Sequence, residues 1–353
     1  MSMSVHIPAG PDEVDAAWMS TATRWRVDTV DIEQIGIGIG VSSAVYRATL
    51  TGSDCPNSVI VKLAALAPEA AYTSTALGMY RREVEFFNGL AERCPIRVPA
   101  GHYAAINEEG SEFVVVMEDM AGNRVPDQLL GVSLTDAECA IDALADWHIE
   151  WWRDIDGLEE QGAAVPLGTP VYPAVLPGLF AEGWSKIEAE APHCLTGLED
   201  IGARFGDAIA PLLQQLDQSP NTLLHGDFRS DNMMYGPNDE LILLDFQITS
   251  TGSGAYDLAY FITQSLGAEL ASEHERTLID RWTQRIVGSG IDAADVATVW
   301  DDYRAAALFC LVYPVVASRG MDLLGDPRQM SLVEVMMSRM KRASDDLNLA
   351  ELL

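Results

Sequence analysis

The stretch LLHGDFRSDNMMYG, residues 223–236, is followed after a gap of three residues by ELILLDFQ, residues 240–247. Together they place Asn232 five residues after Asp227, and Asp245 thirteen residues after Asn232. The apolar runs beside these polar residues predict short buried strands joined by a turn. A carboxylate can accept a proton from a hydroxyl, and an amide with a second carboxylate offers oxygen ligands that magnesium prefers.

These three side chains are the kinds that phosphoryl transfer from ATP requires. A base accepts the proton of the attacking hydroxyl, and two ligands hold magnesium on the phosphates. Their spacing resembles the protein-kinase catalytic loop H-R-D-x-x-x-x-N and the metal-binding D-F-G. Gly226 stands in place of Arg, and Gln247 in place of the last Gly. An H-G-D triplet alone also occurs in capped turns. The full pattern predicts Asp227 as the base and Asn232 and Asp245 as magnesium ligands.

Two neighbouring side chains belong to the same loop. Arg229 either neutralises charge that develops on the transferred phosphate or forms a salt bridge with a nearby acid such as Asp231. The sequence leaves these alternatives open. His225 is predicted to hydrogen-bond within the loop and shape it, because Asp227 already fills the role of base.

A lysine and a glutamate upstream complete a second kinase pattern. Lys62 ends VIVK, a buried-strand pattern within the predicted strand NSVIVKLAA, and a helix predicted from about Thr75 to Arg93 carries Glu83. Kinases pair such a lysine with a helix glutamate so that the ammonium binds the α- and β-phosphates. Glu85 is the rival partner, but it falls on a different face of the helix.

A glycine-rich turn, residues 36–43, lies between two predicted strands upstream of the lysine. Its register is Gly38-x-Gly40-x-x-Ser43, with serine where kinases have a third glycine. Backbone N–H groups of such a turn can bind phosphate, and Ser42 or Ser43 can add a hydroxyl. A simple hairpin is the alternative.

Taken together, these motifs resemble the aminoglycoside phosphotransferase and choline kinase superfamily over nearly the whole chain. Within it, VPAGHYAA, FVVVMEDM, EVEFF and HGDFRSDN favour the ecdysteroid kinase-like phosphotransferases. The resemblance implies an α+β, two-lobed protein-kinase-like fold. It implies a small antiparallel-sheet N-lobe that binds nucleotide, residues 1–118, and a large helical C-lobe with the catalytic loop and acceptor site, residues 119–353.

The same resemblance implies transfer of the γ-phosphate of ATP, sometimes GTP, to a hydroxyl of a small molecule. Adenine would bind the connector at Met117, Glu118 and Met120, and Asp257 of GAYDLAYF would brace the catalytic loop. Asp257 follows Asp245 by only twelve positions in the sequence. Protein kinases have a longer activation segment ending in A-P-E, so a small acceptor is expected over a peptide.

Aromatic side chains in the helical part are the candidates for the acceptor site. They are Trp151, Trp152, Tyr172, Trp184 and Tyr256. The alternative is that the tryptophans fill the core, and an aminoglycoside site lined by carboxylates also stays open. Four prolines between residues 163 and 178 predict a loop there.

Composition limits the possible partners. The formal charge of −31 argues against nucleic acid, and the apolar run from Ala305 to Ala317 is too short to span a membrane. Five cysteines without a C-x-x-C pair predict a reduced compartment, and with an N-terminus that lacks a signal-peptide pattern they favour a cytoplasmic location. A monomer or a homodimer is expected. A nucleotide-binding pseudokinase or regulatory module is the alternative function, although such proteins usually lack one of the key residues.

Overall fold

The computed structural model describes residues 5–36 and 42–353. The chain forms two compact units. The first contains Met1–Asn123, Leu158–Ala163 and Leu244–Ile248, and the second contains Arg124–Gly157, Ala164–Leu243 and Thr249–Leu353. The sequence predicted one boundary after residue 118. In the structure the main segment of the first unit continues to Asn123, and two later segments pack with it.

The first unit is built on a five-stranded antiparallel sheet. Its strands are β1 (Arg26–Ile35), β2 (Ser43–Ser53), β3 (Ser58–Ala64), β4 (Gly101–Ile106) and β5 (Phe113–Glu118). Their order is β1-β2-β3-β5-β4. The inner strands β3 and β5 are nearly continuous apolar runs, as expected for strands buried on both faces. Lys62 pairs with Val45 on one side and Val115 on the other, so it sits in the interior of the sheet.

Three helices accompany this sheet: α1 (Ala16–Thr23), α2 (Pro68–Ala76) and α3 (Met79–Glu85). The single helix predicted from Thr75 to Arg93 is wrong. Gly78 breaks it, because its φ of +67° is a left-handed conformation that glycine adopts easily. After α3 the chain continues as a π-helical turn, Phe86–Leu90. Tyr80 of α3 stacks on Phe113 of β5 with ring centroids 4.3 Å apart, which fixes α3 against the sheet.

The second unit is mainly helical. It begins with α4 (Leu134–Glu150), whose N-cap Ser133 accepts a hydrogen bond from the backbone N–H of Asp136 at 3.1 Å. The one-turn helix α5 (Leu158–Gln161) follows in sequence but belongs to the first unit. The remaining helices are α6 (Val171–Glu190), α7 (Glu199–Gln218), α8 (Ala255–Ser265), α9 (Ala268–Gly288), α10 (Val299–Phe309), α11 (Val312–Ser318) and α12 (Pro327–Leu347).

The loop predicted for residues 163–178 is only partly correct, because α6 starts at Val171. Pro170 is the N-cap, and Pro173 lies in the first turn, where a backbone N–H has no partner within the helix. Pro177 alone lies inside the helix. The position of each proline, rather than the number of prolines, decides whether a helix can form here.

Short strands in the second unit frame the catalytic loop. The strands β6 (Val165–Pro166), β7 (Asn221–Leu224) and β10 (Ser250–Ser253) form one sheet, and β8 (Met233–Tyr235) pairs with β9 (Leu241–Leu243). The loop from His225 to Asn232 therefore runs from the end of β7 to the start of β8. An antiparallel sheet with many helices confirms the predicted α+β class.

None of the helices in residues 5–36 and 42–353 is long and apolar enough to cross a membrane.

Candidate active site

In the first unit, Lys62 lies beside two carboxylates. Its Nζ is 2.5 Å from Oε1 of Glu83 and 3.4 Å from Oδ1 of Asp245. Strand β3 carries the lysine, α3 carries Glu83, and Asp245 belongs to the segment Leu244–Ile248 that packs with this unit. Lys62 and Glu83 are 4% and 0% exposed. The predicted pairing of Lys62 with Glu83, rather than with Glu85, is present.

Burial and the neighbouring charges shift the pKa values of Lys62 and Glu83 in opposite directions. Burial by itself lowers the pKa of Lys62, but Asp245 and Glu83 outweigh burial and raise that pKa above its ordinary value. The lysine is therefore an ammonium at neutral pH. Burial raises the pKa of Glu83, and Lys62 opposes that effect. A cation held in this way can bind the phosphates of a nucleotide.

Asp245 has two features of a metal-binding residue. Its φ of +64° is a left-handed conformation, which costs energy for a residue other than glycine and is found at functional sites. Phe246 holds the strained segment in place by stacking on Phe86 with ring centroids 3.5 Å apart. Among the side chains that the structure describes, Oδ1 of Asp245 is a buried oxygen whose one neighbouring donor is the ammonium of Lys62, at 3.4 Å. A hard cation would satisfy such an oxygen.

Gln247 connects this group to the end of the glycine-rich turn. Its Nε2 donates to Oε2 of Glu83 at 2.9 Å, and its Oε1 accepts from the hydroxyl of Ser42 at 2.5 Å. The sequence showed Gln247 only as a replacement for glycine, so its role was missed. Ser43 is the first residue of β2 and is buried.

Gly38 and Gly40 lie outside the described residues, and their predicted contact with phosphate stays a prediction.

The predicted adenine-binding connector begins at the end of β5, where the carboxylate and the backbone N–H of Glu118 make hydrogen bonds within the protein. The carboxylate of Glu118 accepts from Arg97 at 2.6 and 2.7 Å, and its backbone N–H donates to the carbonyl of Ala100 at 2.9 Å. The carbonyl of Met120 accepts from the side chain of Asn123 at 2.7 Å. Contact of adenine with Met117, Glu118 or Met120 stays a prediction.

In the second unit, the carboxylate of Asp227 is held by two neighbours on the catalytic loop. Its Oδ1 accepts from Nε of Arg229 at 2.9 Å, and its Oδ2 accepts from Nδ2 of Asn232 at 2.7 Å. Asn232 also donates from Nδ2 to the backbone carbonyl of Asp227 at 2.9 Å. Because both bonds use its nitrogen, they leave Oδ1 of Asn232 uncommitted as a possible metal ligand.

These contacts keep Asp227 charged. Burial alone raises the pKa of Asp227, but Arg229, together with Tyr260 and Asn232, outweighs burial and lowers that pKa below its ordinary value. Arg229 also pairs with Asp231 at 2.8 Å, so the predicted salt bridge exists together with one to the base. The two carboxylates raise the pKa of Arg229 against the effect of burial.

A buried carboxylate braces the loop from behind, as the sequence predicted. Asp257 of α8 is fully buried and accepts from the backbone N–H groups of His225 and Gly226 at 2.8 and 2.9 Å. Gly226 has a φ of +84°, which explains why glycine stands where protein kinases have arginine. His225 shapes the loop as predicted, because its Nδ1 accepts from the backbone N–H of Asp227 at 3.3 Å.

Three tyrosines pack around this loop. The rings of Tyr260 and Tyr313 stack with centroids 3.9 Å apart, and the hydroxyls of Tyr313 and Tyr256 are hydrogen-bonded. The hydroxyl of Tyr313 donates to the carbonyl of Gly226 at 3.4 Å, and Tyr260 is one of the groups that lower the pKa of Asp227. Tyr260 and Tyr313 were missed, although Tyr260 lies three residues after Asp257 in a motif that the sequence had singled out.

The aromatic candidates for the acceptor site do not form one group. Trp151 is 1% exposed, as expected if this tryptophan fills the core. Trp152 donates to Asp295 at 3.4 Å, and Trp184 packs on Phe180 with ring centroids 5.5 Å apart. Tyr172, in the first turn of α6, is half-buried. Of the five candidates, Tyr256 alone is tied to the catalytic loop by the contacts above.

Within residues 5–36 and 42–353, no three His, Cys, Asp or Glu side chains are grouped so as to hold a metal ion. Magnesium bound to a nucleotide needs only one or two protein oxygens, because phosphates and water supply the rest. Asp245 in the first unit and Asn232 in the second each carry an oxygen of that kind.

Comparison with known proteins agrees with these motifs. Residues 176–289 match the ecdysteroid kinase-like family. The matched segment is roughly a third of the chain and contains Asp227, Asn232, Asp245 and Asp257. No curated protein matches the chain in sequence.

Solved structures share the fold over most of the chain. A protein from Ralstonia eutropha JMP134 described as an aminoglycoside phosphotransferase is 16% identical with a TM-score of 0.53, covering 94% of this chain and 97% of its own. Ethanolamine kinase from Plasmodium vivax is 11% identical with a TM-score of 0.52, covering 89% and 81%. An amicoumacin kinase solved with AMP-PNP and Ca²⁺ is 14% identical with a TM-score of 0.51, covering 88% and 87%. The predicted resemblance is confirmed: the fold is that of small-molecule phosphotransferases.

Proposed function

We propose that this protein is an ATP- and magnesium-dependent kinase that transfers the γ-phosphate to a hydroxyl of a small molecule. The observation that carries the proposal is the state of Asp227, a partly buried carboxylate held in its charged form by Arg229 and Asn232. The group of Lys62, Glu83 and Asp245 in the first unit supports the nucleotide half of the reaction.

Each residue has a separate role in this proposal. Asp227 orients the acceptor hydroxyl and accepts its proton as the oxygen attacks phosphorus. Arg229 fixes the carboxylate and contributes positive charge near the transferred phosphate. Lys62 binds the α- and β-phosphates. Bound magnesium would neutralise phosphate charge, and Asn232 and Asp245 are its proposed ligands.

The kinases with this fold support a small acceptor, as does the short segment between Asp245 and Asp257. We keep ATP as the proposed donor, with GTP as the first substitute. The proposal needs no nucleic-acid or membrane partner and holds for a monomer or a homodimer. A cytoplasmic location stays a prediction. The pseudokinase alternative is disfavoured because Lys62, Asp227, Asn232 and Asp245 are all present.

ADP release in the presence of magnesium, ATP and a panel of hydroxylated small molecules tests the proposal. The panel contains aminoglycosides, sterol-like alcohols, sugars and amino alcohols. We expect at least one class to stimulate ADP release and to appear as a phosphate ester by mass spectrometry. Asp227→Asn should reduce that rate by a factor of 10² or more, roughly the contribution of a general base. Wild-type rates in Asp227→Asn would reject the proposed chemistry.

Labelling of added peptides or of the protein itself, but of no small alcohol, would instead indicate a protein kinase.

A further inference from the structure

Gln247 stands where the kinase metal-binding motif has glycine, and its side chain makes two bonds that glycine cannot make. It accepts a hydrogen bond from Ser42 and donates one to Glu83. Gln247 is 2% exposed, so both bonds lie in a region where water cannot readily replace them. The substitution therefore adds a connection within the first unit.

At Glu83, the connection completes the set of donors to a buried carboxylate. Oε1 of Glu83 faces Lys62 at 2.5 Å, and Oε2 faces the amide of Gln247 at 2.9 Å. A buried carboxylate is stable only when its oxygens accept hydrogen bonds. With both oxygens engaged, the carboxylate is fixed in the orientation that holds the ammonium of Lys62.

At Ser42, the connection fixes the end of the glycine-rich turn. The hydroxyl of Ser42 donates to Gln247 at 2.5 Å, and its backbone carbonyl accepts from the hydroxyl of Ser74 at 3.1 Å. Ser42 was predicted to offer its hydroxyl to phosphate. A hydroxyl has one hydrogen, and here that hydrogen is used by Gln247.

We propose that Gln247 is a positioning residue for the nucleotide, which ties the end of the glycine-rich turn at Ser42 to the Lys62–Glu83 pair. The inference rests on the proposed function, because it assigns phosphate binding to that pair. Gln247 acts through Ser42 and Glu83 rather than through a contact of its own with phosphate. Nucleotide affinity should therefore depend on a side chain that the ordinary kinase motif lacks.

Calorimetric titration with ATP and magnesium tests this role without any acceptor. We compare the wild type, Gln247→Leu, Ser42→Ala and the double variant. Leucine keeps the size of the side chain and removes both bonds, and we expect about ten-fold weaker binding. The double variant should bind no more weakly than Gln247→Leu, because the two changes remove one shared bond.

Gln215→Leu is the matched control. Gln215 also donates from Nε2 to a carboxylate, Oδ1 of Asp302 at 3.2 Å, but in the second unit. The Gln215→Leu variant should bind ATP as the wild type does.

Gln247→Glu is a second variant in case leucine prevents folding. It keeps an acceptor for Ser42 and turns a negative charge towards Glu83, so it should also weaken binding.

Unchanged affinity in folded Gln247→Leu or Gln247→Glu, or fully additive losses for Ser42→Ala and Gln247→Leu, would overturn the positioning role. A wild type that binds no magnesium nucleotide would contradict the proposed function itself. The two failures are thus distinguishable in one series of titrations.

Discussion

One oxygen of Asp257 accepts a hydrogen bond from the backbone N–H of His225 at 2.8 Å, and the other accepts one from the N–H of Gly226 at 2.9 Å. These two bonds join α8 to the loop that carries the proposed base. His148 also lies 3.3 Å from this carboxylate. Because the carboxylate is fully buried, the shape of the loop depends on its charge and on both oxygens.

The first prediction concerns this brace. Asp257→Asn replaces one acceptor by an NH₂ group that faces a backbone donor. We expect a loss of about 2–3 kcal/mol in the free energy of unfolding, as for a buried hydrogen bond to a charged group. Urea denaturation measures it. Asp301→Asn, at an exposed acid of α10, is the control and should leave stability unchanged. A stable Asp257→Asn protein with full activity would contradict the bracing role.

The second prediction concerns the buried ion pair. Lys62→Met leaves Glu83 beside Asp245 without a cation, and breaking a buried pair in this way costs about 3–5 kcal/mol. We expect a comparable loss of stability in urea denaturation. The double variant Lys62→Met/Glu83→Leu should recover much of the loss, because it removes the uncompensated carboxylate. Equal destabilisation in the single and double variants would show that charge is not the cause.

The double variant should still fail to bind ATP, since recovered stability does not restore the lysine that is proposed to bind phosphate. Calorimetry separates the two effects.

The third prediction concerns pH. The hydroxyl of Tyr260 is one of the groups that lower the pKa of Asp227, so Tyr260→Phe should raise that pKa. Since the base must be ionised, the acidic limb of the kcat profile should move to higher pH in the variant. Activity would then be lost earlier as pH falls. The profile is measured with the best acceptor from the panel.

Tyr303→Phe is the matched control for this change. Tyr303 is another buried tyrosine, and its hydroxyl donates to Glu275 at 2.6 Å, in a different cluster. Its pH profile should equal that of the wild type. Identical profiles for Tyr260→Phe and the wild type would show that Tyr260 does not act on the base.

Much of this arrangement follows from local sequence. The spacing of Asp227, Asn232 and Asp245 indicated the proposed chemistry, and VIVK indicated a buried strand that carries a cation. Helical periodicity favoured Glu83 over Glu85. Such patterns are short, and each depends on residues close together in the chain.

Other features depend on contacts that no local pattern contains. The bonds from Gln247 to Ser42 and Glu83 join segments that are 205 and 164 residues apart. The stack of Tyr260 on Tyr313 joins α8 to α11. The helix that begins at Val171 contradicted a loop predicted from its prolines, because position within the first turn matters more than proline content.

The most direct test of the central claim is calorimetric titration of ATP into the wild type and Asp245→Ala, with and without magnesium. We predict that the wild type binds ATP in a magnesium-dependent way. Asp245→Ala should lose or weaken that binding, because the carboxylate that is proposed to bind the ion is gone. An ATP affinity that is equal in both proteins, or that does not depend on magnesium, would contradict the account. So would a wild type that binds neither ATP nor GTP.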